Sequence, residues 1–188
     1  MNTISYYPEG VFLKKGADNP PTSYLDFETF VNLHSSKELK SQLDYIKTCE
    51  YGSWQYKSAK KKLPVALLNK FAYNLTEGFI KETPYKPFDV DLKDNSIENI
   101  KAFKEQIKDL ACFVADSPSG GLKFFLKINF NTSDRKEYRK KYDSIVHYLE
   151  AKYNIVLDKM QGNIKQPYFI SYQDKTYYRD KKFNYQFN

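Results

Sequence analysis

Two long stretches of helical periodicity, set on either side of a pair of short β-prone runs, constrain this chain more than any other feature. The first places Ile97, Ile100, Phe103, Ile107 and Leu110 at three- and four-residue intervals, which is one apolar face of an α-helix. Asn95-Ser96 ahead of it supplies a helix-starting side chain. The second begins at Ser133 and carries Tyr138, Tyr142, Ile145, Leu149 and Tyr153 along one face. Between them, the runs 112–115 and 122–129 are joined by a glycine turn and predict a hairpin. A run at 88–92 precedes the first helix, behind Pro84 and Pro87, and runs at 155–157 and 168–172 follow the second. The order is strand, helix, strand, strand, helix, strand. It is that of a ferredoxin-like or RRM-like α+β sandwich.

The first half predicts an additional αβ unit beside this core. Asn19-Pro20-Pro21 reads as a loop ahead of a short helix at 24–34. Ser35-Ser36-Lys37-Glu38 has the serine-to-glutamate spacing of a capping box, and Leu39, Leu43 and Ile46 then repeat at helical spacing. The stretch 57–62 is strongly basic and stops at Pro64, and Val65-Ala66-Leu67-Leu68 reads as a buried strand. From Lys175 onward the chain is basic and tyrosine-rich, a last strand and then a frayed end. The expected organisation is one domain over 1–188: an N-terminal extension at 1–35, an αβ unit at 36–84, the RRM-like core at 85–175 and a basic tail at 176–188.

A length of 188 residues, 41% hydrophobic content and only 7 Gly and 8 Pro fit a globular domain with a real core. The net charge of +7 points to an anionic partner, nucleic acid first, against the alternative of a basic protein with no such partner. The 17 tyrosines can fill a core or stack on bases. Cys49 and Cys112 have no metal-ligand spacing and predict no disulfide framework, which fits a reducing cytoplasm. The N-terminal stretch from Met1 to Tyr7 lacks a signal-peptide pattern, and no run approaches the roughly 18 apolar residues of a membrane span.

Three short motifs carry the chemistry. Phe88-Asp89-Val90-Asp91 sets two carboxylates at i and i+2, one face of a strand, where they repel unless a cation neutralises them. Oxygen ligands of this kind suit Mg²⁺ or Mn²⁺, and two solvated surface aspartates are the alternative. Asp94 reads as a helix-start residue. Ser117-Pro118-Ser119-Gly120-Gly121-Leu122-Lys123 is a turn whose amides and hydroxyls could face an anion, with Lys123 bringing positive charge to a phosphate; a hairpin turn needing Gly for positive φ is the alternative. Ile155-Val156-Leu157-Asp158 ends in a third carboxylate, which either completes a metal site or caps a loop. Lys165 and Arg179 are candidate phosphate contacts with solvated surface roles as the alternative. His34 and His147 have no catalytic partner, and no G-x-x-x-x-G-K-[ST] motif is present.

Together these motifs resemble the archaeo-eukaryotic primase superfamily, and within it the VirE N-terminal, primase-polymerase-like domains of Bacteroidetes mobile elements and phages. The likeness covers about residues 36 to 180. It runs through Lys60-Lys61-Lys62-Leu63-Pro64, the Phe88–Asp91 strand, the Ser117–Lys123 loop and Phe169-Ile170-Ser171-Tyr172. The chain carries Lys123 where many members have His, Gln166 beside Lys165 where Arg is common, and Asn69-Lys70-Phe71 where Gly usually precedes Phe.

The resemblance implies a template-dependent nucleotidyltransferase, a primase or primase-polymerase. Asp89, Asp91 and Asp158 would be catalytic ligands of two divalent ions, Mg²⁺ or Mn²⁺. Ser117, Ser119, Gly120, Gly121, Lys123 and Lys165 would hold the nucleoside triphosphate. Lys57, Lys60, Lys61 and Lys62 would track a single-stranded DNA template. A helicase in the same polypeptide or operon is the implied partner, and no membrane is involved. Two other readings stay open: a nucleic-acid-binding module of the same fold without catalysis, and a two-metal nuclease.

Overall fold

The computed structural model describes residues 3–8, 19–73, 76–174 and 176–187. Met1 and Asn2 of the N-terminal stretch, and Lys175, from which the tail was expected to run, lie outside the described residues. The fold is α+β, with five α-helices and antiparallel sheets among the described residues. The chain gathers into two compact units. The first draws on Met1–Thr83 and Pro167–Thr176, the second on Pro84–Gln166 and Tyr177–Asn188.

The first unit is built on a sheet of β1 (Ile4–Tyr7), β2 (Ser23–Leu25), β3 (Val65–Leu67) and β9 (Pro167–Phe169), in the order β2-β1-β3-β9 and antiparallel throughout. β3 lies between β1 and β9, and all three of its residues are buried, as its apolar run requires. A small hairpin of β4 (Lys70–Phe71) and β5 (Phe79–Lys81) adds Phe71 to a core with Tyr7, Val65 and Leu67. Helices α1 (Phe27–Leu33), α2 (Lys37–Thr48) and α3 (Trp54–Lys62) complete the unit. The expected helix at 24–34 starts later, because Tyr24 pairs with Ser5 in β2 and Asp26 caps α1 at the Thr29 N–H. The cap of α2 is Ser36, whose hydroxyl accepts from the Leu39 N–H, so the expected pairing of Ser35 with Glu38 shifts by one residue. His34 is fully buried, with Nδ1 3.1 Å from Phe30 O and Nε2 3.1 Å from the Tyr168 hydroxyl, a structural histidine.

The second unit is built on β6 (Tyr85–Val90), β7 (Phe113–Asp116), β8 (Leu122–Lys127) and β10 (Tyr177–Tyr178), in the antiparallel order β10-β7-β8-β6. β6 is an edge strand, which is where Pro87 can sit without breaking a ladder bond on both sides. Helices α4 (Ile97–Ile107) and α5 (Arg135–Tyr153) follow β6 and β8. Ser96 caps α4 at the Asn99 N–H and Asp134, one residue past the expected Ser133, caps α5 at the Glu137 N–H. The core is aromatic. Phe88 stacks on Tyr142 at 4.7 Å and on Phe124 at 5.2 Å, and Phe103 meets Phe124 edge-on at 5.5 Å.

Two expected strands are corrected. Residues 155–157 form no strand; they run beside β6 as irregular chain held by side-chain hydrogen bonds. The run 168–172, expected to finish the core around β6, instead supplies β9 to the first unit, where Phe169 pairs with Val65 and Tyr168 with Ala66.

Candidate functional site

The three motifs of the second half meet at one end of β6. Phe88 points at Tyr142 of α5, so Asp89, next along the strand, projects from the opposite face. Directly across from it on β8 stands Lys123, a buried lysine whose neighbour on the other side is Ala115 of β7. Cross-strand partners on one face lie within about 5.5 Å at Cβ, which sets this charge beside the carboxylate. Asp91 follows the last residue of β6, with its side chain 26% exposed. Asp158 arrives from after α5: its N–H donates to Asp89 O at 2.8 Å.

An asparagine locks this meeting in place. The Asn95 amide donates to Asp91 O at 3.0 Å and to Val156 O at 2.9 Å, while its Oδ1 accepts from the Val156 N–H at 2.9 Å. Glu150 of α5 accepts from the Leu157 N–H at 3.0 Å. The irregular chain before Asp158 is thereby tied to the end of β6 at several points. Sequence reasoning took Asn95 only as a helix-start residue; a lone Asn carries no signal of such a clamp.

The Ser117–Lys123 turn abuts the same strand end. Gly121 lies so close to β6 that a Cβ on it would meet Val90 O at 2.2 Å, and Gly120 has φ of +86° with the Leu92 side chain 3.5 Å from where a Cβ would sit. The turn is braced from within. Ser117 N–H donates to Gly121 O at 2.9 Å, Gly120 N–H to Ser117 O at 3.1 Å, and Gly121 N–H to Ser117 Oγ at 3.0 Å. Pro118 has no N–H, so the turn does not present the row of backbone donors that an anion-binding loop uses. Ser117 Oγ also lies 3.0 Å from Ser119 Oγ, which leaves the half-buried Ser119 as the hydroxyl nearer solvent.

The electrostatics show what each carboxylate already faces. Lys93 Nζ is 3.4 Å from Asp91 Oδ2 and 3.7 Å from Asp94 Oδ2. Asp91 first, then Asp94, with a smaller part from Asp158, hold the Lys93 ammonium above its usual pKa. Asp158 Oδ1 accepts from the Met160 N–H at 2.9 Å and caps a 3-10 turn at Lys159–Gly162. The Asp89 Oδ1 is buried. The Tyr142 hydroxyl, donating to Pro87 O at 3.0 Å, is pushed well above its usual pKa by burial, then by Tyr138, Asp158 and Asp89. Among the described residues no three His, Cys, Asp or Glu side chains are grouped to hold an ion. The backbones of Asp89, Asp91 and Asp158 converge, but their carboxylates as they stand do not form a ligand set for a divalent ion.

The other candidates lie apart from this strand end. Lys165 sits in the turn after Lys159–Gly162, its N–H donating to Asn163 Oδ1 at 3.0 Å, and Gln166 N–H donates to Asn163 O at 2.9 Å. Arg179 is pinned to the end of α4: its guanidinium donates to Lys108 O and lies 3.8 Å from Asp109 Oδ1. His147 lines a shallow basic groove on α5 with Arg135, Lys136, Arg139 and Lys140. In the first unit, Lys57, Lys61 and Lys62 are exposed on α3, while Lys60 lies over the rings of Tyr56 at 6.0 Å and Phe169 at 5.9 Å.

No family model, curated protein or solved structure matches this chain. The functional reading therefore rests on its own residues and their geometry. No described helix is long and apolar enough to cross a membrane.

Proposed function

We propose that the second unit is the core of a primase-type nucleotidyltransferase, joining nucleotides from triphosphates on a single-stranded template. The observation that carries this reading is the convergence of three motifs far apart in sequence: Asp158 N–H on Asp89 O, Lys123 opposite Asp89, and Gly121 against Val90. Strand, helix, hairpin, helix, with the first strand beside the third, is also the order of an RRM-like sheet. In this reading Lys123 offsets the charge of the triphosphate and the Ser119 hydroxyl hydrogen-bonds it, contacts made by side chains because the Ser117, Gly120 and Gly121 amides are engaged within the turn. Asp89 and Asp91 would repel the triphosphate unless a cation stood between them, so their part depends on the ion. Mg²⁺ or Mn²⁺ is the cofactor such chemistry uses, and its requirement is one arm of the test. A helicase encoded with this chain is the partner in keeping with strand initiation.

A second reading is a nucleic-acid-binding module without catalysis. Lys93 against Asp91 and the capping role of Asp158 favour it. Base stacking on the sheet would fall to Tyr85 and Tyr178, which are partly exposed on the Asp89 face, because Phe113 and Phe125 on that face are fully buried.

The deciding experiment is nucleotide incorporation by the whole chain on single-stranded template, with labelled triphosphates and Mg²⁺ or Mn²⁺, with and without primer. The expected result is product that needs the ion and disappears in Asp89→Asn/Asp91→Asn. Full activity in that variant would sink the assignment. Absence of product with template still bound in chelator makes the chain a binding module, and nucleotide release without added triphosphates makes it a nuclease.

A further inference from the structure

The first unit carries a groove that the catalytic reading does not use. It lies between α2 and α3, has a volume of about 450 Å³, and is lined by Ser41, Gln42, Tyr45, Trp54, Ser58 and Lys62 with their neighbours. Two of these are large aromatics left open to solvent: Trp54 is 78% exposed and Tyr45 58%. Helical spacing explains the grouping. Trp54, Ser58, Lys61 and Lys62 share one side of α3, while the buried Tyr56 lies on the other. On α2, Ser41 and Tyr45 are four residues apart, away from the buried Leu39, Leu43 and Ile46.

We infer that this groove binds single-stranded nucleic acid, with bases on the faces of Trp54 and Tyr45 and the phosphate backbone along α3. Two observations fix the class of ligand. The lining is aromatic and polar, with hydroxyls and a carboxamide from Ser41, Gln55 and Ser58 that can meet base edges, and it offers no aliphatic pocket for a peptide anchor. The exposed charge of α3 is all positive, from Lys57, Lys61 and Lys62, whereas α2 exposes Lys37, Lys40 and Lys47 together with Glu38 and Asp44. A flat π-surface beside a row of lysines is the combination that holds unpaired strands without regard to sequence. Of the four α3 lysines, Lys60 is turned to Tyr56 and Phe169 and takes no part. The inference deepens the nucleic-acid reading above, but it rests on a separate unit and separate residues.

The chain has one tryptophan, so its fluorescence reports on this groove alone. The whole chain is titrated with a short oligothymidylate, with inorganic tripolyphosphate and with polyglutamate, following Trp54 emission. Labelled oligothymidylate followed by anisotropy gives affinities for variants. Oligothymidylate is expected to quench Trp54 saturably and tripolyphosphate is not. Tyr45→Ala and Trp54→Ala each weaken binding by about tenfold, the loss of one stacked base. Lys61→Gln/Lys62→Gln lowers the salt dependence of binding. Both aromatic side chains are exposed, so circular dichroism of these variants should match the parent. Quenching by tripolyphosphate equal to that by the oligonucleotide, quenching only by polyglutamate, or unchanged DNA affinity in both aromatic variants would overturn the inference. The Asp89→Asn/Asp91→Asn variant separates the two readings. If the parent makes no product, or the variant keeps full activity, yet quenching persists, the catalytic assignment fails and the groove stands. If product forms and Trp54→Ala changes neither binding nor yield, the groove fails alone.

Discussion

A methyl group on Gly121 would meet the carbonyl oxygen of Val90 at 2.2 Å, and a strand backbone cannot swing aside as the tip of a side chain can. Gly120 is different: its φ of +86° is strained for any side chain, but the space around it is open save for Leu92. Gly121→Ala is therefore expected to destabilise by about 1–3 kcal/mol and to push the turn away from β6. Gly120→Ala should cost about 1 kcal/mol and leave the turn in place. Urea midpoints of the two variants check the order; equal losses would show that Val90 does not confine the turn. The sequence motif made both glycines readable as turn residues. It held no sign that Gly121 is there for contact with another strand, because that depends on a partner some thirty residues away. Lys93 was equally hidden, since its role comes from the spatial placing of Asp91 and Asp94 and a single exposed lysine after a strand has no pattern.

At the scale of elements, the segment before Asp158 is held by side chains where an ordered strand would hold itself by a ladder. Asn95→Ala removes three hydrogen bonds at once, to Asp91 O, Val156 O and Val156 N–H. These bonds are largely exposed, so the expected loss is about 1 kcal/mol overall. The local effect is larger: hydrogen exchange at the Val156 and Asp158 amides should speed up, while Ile100 within α4 keeps its protection. Unchanged exchange at Val156 would mean that Glu150 alone suffices. The long elements were legible because Ile100, Phe103 and Ile107, and Tyr142, Ile145 and Leu149, repeat over several turns and are all buried. The hairpin of β7 and β8 was legible from its turn. Short apolar runs were not. Ile155-Val156-Leu157 is at least as strand-prone in sequence as Pro167-Tyr168-Phe169, yet the first stays irregular and the second completes a sheet; the difference lies in which strand edge each finds. At the candidate site, the sequence order of the three aspartates was readable, while the irregular chain before Asp158, the Lys93 ammonium beside Asp91 and the cap made by Asp158 were not.

For the molecule as a whole, burial sets its behaviour in alkali. Burial pushes the Cys112 thiol from 9.0 up to about 12 and the Tyr7 phenol from 10.0 up to about 12, and holds Tyr142 well above its usual value. Each group is protonated in the folded chain at a pH where the unfolded chain has released its proton. Their contribution to stability is whole below about pH 9 and falls as pH rises toward about 12. The urea midpoint should thus drop between neutral pH and about pH 10.5. Cys112→Ala should flatten the part of that fall that begins near 9. At neutral pH a thiol reagent should modify the half-buried Cys49 readily and Cys112 only on unfolding. Both cysteines reacting at one rate would contradict the burial. The interleaving of the two units also has a consequence in time. The chain leaves the first unit at Thr83 and returns to it only at Pro167. A ribosome adding about 5–20 residues per second needs several seconds to make the stretch between. Throughout that interval Val65-Ala66-Leu67 has β1 on one side and nothing yet synthesised to cover the other. The nascent protein thus passes through a stage with an apolar strand edge on offer, when a chaperone would be of most use and a neighbouring nascent chain most hazardous.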